Sequence, residues 1–150
     1  MITGDIFFAT LRNMQNSIFR QFYHLTRLSI KKQRIIYWTV TAIIALESVA
    51  GGVADIMQVP AYISILYHLG YPSYFAVMLG VWKVLAGIAI LVPRYPRLKE
   101  WAYAGLVFQF TGAILSYIIV GDSLVVLVAP FIFLCLVFTS WLLRPPSRRM

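Results

Sequence analysis

Glu47, Asp55, Lys83 and Gln109 lie in stretches that are otherwise almost wholly apolar or small: the two acids in ALESVAGGVADIM (45–57), the lysine in GVWKVLAG and the glutamine in VFQFTGA. A carboxylate can take or release a proton, an ammonium can neutralise it, and an amide can donate and accept hydrogen bonds. In hydrocarbon each charged group costs at least about 2.5–3.5 kcal/mol, so such groups pair with one another and tend to mark ligand or ion sites.

The surroundings are hydrocarbon-like by composition. The chain has 150 residues, 61% of them apolar and 12% charged, and a mean hydropathy of +0.80. That is the balance of a membrane protein. Apolar runs of spanning length predict helices near residues 36–56, 73–92, 101–121 and 124–143, with Pro60, Gly70-Tyr71-Pro72 and Pro93 as breaks. No run has the polar stripe of a soluble helix. The expected fold is all-α: a transmembrane four-helix bundle, up-down-up-down, over residues 35–143. The turn at Gly121-Asp122-Ser123 makes the third and fourth spans antiparallel neighbours.

Glu47, Lys83 and Gln109 each fall near the centre of their spans, so alternation of direction brings them to one level at the bilayer midplane. Helical phase agrees. Glu47 shares a face with Gly51 and Ala54, Lys83 with Gly80 and Gly87, and Gln109 with Gly105, Gly112 and Ser116. Small residues mark faces where helices approach closely, which carries the three polar groups inward. Glu47 and Lys83 are the expected pair, acting either as a ligand site or as a register lock between the first two spans. Asp55, two turns beyond Glu47, is expected near the outer end of its span and in contact with water.

Lys and Arg cluster on one side. Arg12, Arg20, Arg27, Lys31, Lys32 and Arg34 precede the first span; Arg94, Arg97 and Lys99 lie between the second and third; Arg144, Arg148 and Arg149 follow the fourth; the opposite loops have none. The positive-inside rule places both termini in the cytoplasm, and reads the net charge of +8 as topology and contact with anionic lipid rather than with nucleic acid. Arg94, Arg97, Lys99 and Trp101 are the expected membrane anchor, with Tyr103 also at the interface and Glu100 as an acid near the start of its helix. Residues 144–150 form a basic tail. Residues 1–34 carry Phe7, Leu11, Met14, Ile18, Phe22 and Leu25 at three- and four-residue steps, which predicts an amphipathic helix lying in the cytoplasmic interface or packing on a partner.

On the outer side, residues 59–74 are too short to span but carry Tyr62, Tyr67, Tyr71 and Tyr74, as expected of a short surface helix capping the bundle. His68 sits there alone, and is expected to be a hydrogen-bonded surface residue rather than a ligand or an acid. Cys135 is the only cysteine, which excludes thiol–disulfide chemistry within the chain. His24 and His68 fall on opposite sides of the membrane, so they cannot share a metal or a haem. No phosphate loop or Ser/His/Asp set is present, and no metal site is expected. Any redox cofactor is therefore diffusible or belongs to a partner.

The strings ALESVAGGVADI, LGYPSYF, LGVWKVLAG, LVPRYPRLKEWAYAGLVF and TGAILS with VGDS, in this order over residues 36–143, resemble the DoxX-like family of small four-helix membrane proteins. The resemblance implies a bundle in the bacterial cytoplasmic membrane. Its name-giving relative is a subunit of a quinone-reducing thiosulfate oxidoreductase. Glu47, Asp55, Lys83, Glu100 and Trp101 match the family pattern. Gln109 stands where relatives often carry an acid and Tyr117 where they carry a histidine, which removes two titratable groups from the third span.

Two function classes follow. In the first, a diffusible quinone enters between helices and hydrogen-bonds Lys83 and Gln109, Glu47 exchanges a proton, and a soluble redox partner on the cytoplasmic side supplies electrons. In the second, the chain is a non-catalytic scaffold or accessory subunit. Proton or small-solute transport is the third alternative, and it requires a homo-oligomer.

Overall fold

The computed structural model describes residues 30–145, and these are helical with short connections and no strand. Four helices are long and apolar enough to cross a membrane: α1 (Ile30–Ile56), α3 (Ser73–Leu91), α4 (Pro96–Val120) and α5 (Leu124–Leu142). The short α2 (Pro60–His68) joins α1 to α3 and has no buried residue. The amphipathic helix expected within residues 1–34 falls almost wholly outside the described residues.

The helices outrun two of the predicted spans. α1 begins at Ile30 rather than 36, and α4 at Pro96 rather than 101. Apolar-run counting finds only the hydrocarbon part of a helix, whereas the backbone stays helical through flanking charges, from Lys31 to Arg34 in one case and from Arg97 to Glu100 in the other. Proline sets both Pro-led starts: Pro60 and Pro96 occupy early positions where no intrahelical N–H is needed.

Three helix ends use one device. Gln58, Gly70 and Gly121 adopt left-handed backbone, with φ of 50°, 83° and 83°. In each, that residue and the next donate back to the last turn: Gln58 N–H to Asp55 O and Val59 N–H to Ala54 O, Gly70 N–H to Tyr67 O and Tyr71 N–H to Leu66 O, Gly121 N–H to Ile118 O and Asp122 N–H to Tyr117 O. Orphan carbonyls are thus satisfied, and the chain turns sharply enough to start the next element.

α4 packs on both α3 and α5, while α1 closes the ring. Its backbone meets α3 at Gly52 and Gly80, where a Cβ on Gly80 would come within 2.5 Å of the Gly52 carbonyl oxygen and one on Gly52 within 2.7 Å of the Gly80 oxygen. It meets α5 through Thr41 and Ser140, whose hydroxyls are 2.7 Å apart. The apolar core gathers Ile44, Ile90, Leu106, Phe110 and Val137 toward the end that carries the α3–α4 loop. Of α5 only Val137 and Ser140 are buried, which leaves an apolar outer surface suited to lipid.

The loop end departs from a simple row of surface anchors. Arg94 and Arg97 are exposed, and Trp101 is 82% exposed. Lys99 is instead fully buried and donates from Nζ to the carbonyl of Val92 at the C-terminus of α3. It caps that helix, where the orphan carbonyls and the dipole favour a cation. Tyr103 is also buried, and its hydroxyl lies 2.7 Å from that of Ser140. Glu100 lies beyond the first turn of α4 and clasps α5: Arg144 Nη2 donates to Oε1 at 2.6 Å and Trp141 Nε1 to Oε2 at 2.8 Å. Arg144 itself is buried, over the rings of Tyr103 and Trp141. The first residue of the expected basic tail is therefore a helix-to-helix clamp, because a guanidinium pairs with a carboxylate and stacks on aromatic faces at the same time.

Candidate functional site

The spacing of α1 builds one side of the site. Glu47, Gly51 and Asp55 recur at four-residue steps and so share a face, with the residue lacking a side chain between the two acids. Lys83 of α3 reaches into that space. Its ammonium lies 3.2 Å from Glu47 Oε1 and 3.3 Å from Asp55 Oδ2. A Cβ on Gly51 would stand 2.8 Å from Nζ, so the absence of a side chain there lets the ammonium lie against the α1 backbone. The Gly52–Gly80 contact one residue further on sets the distance between the two helices.

The expected pair is therefore a triad. Asp55, expected at a wetted helix end, is 5% exposed and shares the ammonium with Glu47. Depth along the span did not decide this: a lysine side chain is long enough to bridge acids two turns apart on one face. Exposure differs across the three, at 6% for the Asp55 side chain, 8% for Lys83 and 24% for Glu47. The Ser48 hydroxyl approaches the other Glu47 oxygen at 3.5 Å.

A cavity of about 950 Å³ adjoins the triad. Glu47, Asp55 and Lys83 line it along α1 and α3, Gln109 and Tyr117 along α4, and Pro130 along α5. Gln109 thus faces the same space as the triad, but its side-chain amide has no hydrogen bond to it, nor to any other described residue. The small face of α4 has a different purpose from the one predicted. Cβ atoms on Gly105 or Gly112 would meet nothing within 4 Å, and both residues line the cavity. On α1 and α3 small residues bring backbones together; on α4 they leave room.

The cavity extends to Trp82 and Phe108, which are 59% and 75% exposed, so it reaches the outer surface of the bundle along α3 and α4. Tyr62, Ile65, Leu66 and Leu69, from α2 and the turn after it, cover another part of it. Two contacts hold that cover. The hydroxyl of Tyr71, stacked on Phe75, lies 2.8 Å from that of Ser116, which donates to Gly112 O. His68 Nε2 lies 2.9 Å from both oxygens of Asp122 in the α4–α5 turn. His68 therefore has a partner, one that no periodicity indicates because the two residues meet only when separate loops fold to the same end.

Apolar walls with a few polar groups converging at one place are the usual makeup of a small-molecule site, and the volume lies near the upper end of the common range. The triad can fix or exchange a proton, the Lys83 ammonium can donate a hydrogen bond, and the Gln109 amide can donate to a carbonyl or accept from a hydroxyl.

The model of the DoxX-like family matches residues 39–140, a stretch that includes the triad, the Gly52–Gly80 approach and the Thr41–Ser140 contact. No curated protein and no solved structure matches the chain.

Proposed function

We propose that this chain, which belongs to the DoxX-like family and is an integral membrane protein, is the membrane component of a quinone-linked redox system and holds the quinone head group in the cavity beside Glu47, Lys83 and Gln109. The observation that carries this reading is the cavity itself: apolar walls reaching the outer surface of the bundle, with a polar triad inside. A ligand with an apolar tail can enter such a space sideways from the bilayer.

Within it, Lys83 offers an N–H to a carbonyl oxygen, and Gln109 offers its amide to the same ring or to the opposite oxygen. Glu47, the most open member of the triad, exchanges a proton with the cavity. Reduction of a quinone takes up two electrons and two protons; the electrons come from an external donor, for which the side bearing the exposed Arg94 and Arg97 is the proposed docking side. In this reading the chain sits in the cytoplasmic membrane, both termini are cytoplasmic, and those arginines meet anionic lipid.

The test uses the purified protein in phosphatidylcholine nanodiscs, with extraction and mass spectrometry of bound lipids and titration with a short-chain quinone. Saturable binding is expected, weakened roughly tenfold by Gln109→Leu, the loss of one hydrogen bond to a buried ligand. No retained quinone and no saturable binding would overturn the proposal. A second reading, a structural scaffold, is favoured by one observation: the Lys83 ammonium is paired with both acids within the bundle, against a glycine-packed helix pair.

A further inference from the structure

We infer that Asp55 is a specificity determinant: by sharing the Lys83 ammonium with Glu47, it leaves the cavity with a carboxylate in excess of its cations, so the site accepts neutral head groups and rejects anionic ones. The inference rests on the ligand-binding reading above and names the class of ligand that reading admits.

An unshared lysine inside a membrane protein would attract an anionic amphiphile, and a one-to-one pair would be electrically neutral. Neither is present. Lys83 is bracketed by oxygens at 3.2 and 3.3 Å, and Glu47, Asp55 and Lys83 are the only Asp, Glu, Lys or Arg side chains lining the cavity among the described residues. Exposure points the same way. The Glu47 side chain, which lines the cavity, is 24% exposed against 8% for Lys83, so the acid is the more accessible partner of the pair. If the excess carboxylate is ionised, a second anion is repelled across a low-dielectric space. If it carries a proton, the ammonium still lies between two carboxyl oxygens at 3.2 and 3.3 Å, which shield it from an anionic head group.

The test compares two fluorescent probes with the same alkyl chain, one ending in an alcohol and one in a permanently anionic sulfonate. Both are titrated into the protein in phosphatidylcholine nanodiscs, with empty nanodiscs subtracted. Wild type is expected to bind the alcohol at least about tenfold more tightly than the sulfonate, the order of effect of a like charge placed nearby. Asp55→Asn is expected to bring the two within about threefold. Should that variant not fold, Glu47→Gln removes the same excess charge and must narrow the preference in the same way. Equal binding of both probes to wild type, or a preference unchanged in whichever variant folds, overturns the inference while leaving a ligand site in place. Binding of neither probe overturns the ligand-binding reading and this inference with it.

Discussion

Gly51 of α1 lies directly against the ammonium of Lys83: a Cβ added at residue 51 would stand 2.8 Å from Nζ. Four residues separate Gly51 from each acid that holds the ammonium, so the backbone of α1 forms the floor of the site. At Gly80 the obstacle differs, since a Cβ there would come within 2.5 Å of the Gly52 carbonyl oxygen. The end of a lysine can move aside, whereas a helix backbone cannot. Gly80→Ala is therefore expected to cost about 3 kcal/mol and Gly51→Ala about 1 kcal/mol, as for overpacking with and without relief. Equilibrium unfolding in mixed detergent micelles measures both, and an equal or reversed order would contradict the packing of α1 on α3.

Removing Lys83 leaves two acids facing each other in the interior. Lys83→Met is expected to destabilise by about 3–5 kcal/mol, the usual cost of breaking a buried ion pair from one side. Because the cluster is a triad, removing the pair alone does not restore balance: Glu47→Leu with Lys83→Met leaves Asp55 without a counter-charge. Only the triple variant, with Asp55→Leu added, is expected to regain most of the loss. Full recovery in the double variant would show that Asp55 is not a partner.

The loop end is closed by Glu100 and Arg144, 2.6 Å apart. Arg144 is buried whereas the Glu100 side chain is 26% exposed, so the two halves of the pair are unequal. Glu100→Gln takes the carboxylate from a buried guanidinium and is expected to cost roughly 2 kcal/mol. Glutamine keeps one acceptor oxygen for two donors, so with Arg144 holding that oxygen Trp141 Nε1 loses its partner, and the tryptophan fluorescence of the variant is expected to shift to the red. A variant as stable as wild type with an unchanged spectrum would separate Glu100 from this clamp.

Gln58 makes the turn out of α1 with a φ of 50°, a conformation that costs a residue with a Cβ about 1 kcal/mol. Gly70 and Gly121 make the same turn without that strain. Gln58→Gly is expected to stabilise the fold by up to about 1 kcal/mol, while Gly121→Ala is expected to destabilise it by about 1 kcal/mol or more. The pair of measurements, made by thermal unfolding in detergent, checks the sign at both positions.

Much of the architecture was legible in the residues themselves. Apolar runs of spanning length, Pro and Gly at the breaks and the short Gly121-Asp122-Ser123 turn determine four long helices with α4 and α5 adjacent, because a bilayer leaves a backbone no other way to satisfy its polar groups. Phase along each helix also placed Glu47, Lys83 and Gln109 toward a common interior. These are local properties, fixed by a period of 3.6 residues and by the cost of burying charge.

Tertiary structure decided what periodicity cannot encode. That Lys83 serves two acids depends on how closely α1 and α3 approach, which the Gly52–Gly80 contact sets. That Gly105 and Gly112 line a void while Gly51 supports an ammonium depends on which neighbour, if any, faces each of them. Lys99 caps α3, and Arg144 and His68 find Glu100 and Asp122, because the loops and helix ends fold back on one another. A residue's type and position on its helix determine where its side chain points, but only the packed bundle determines what it meets.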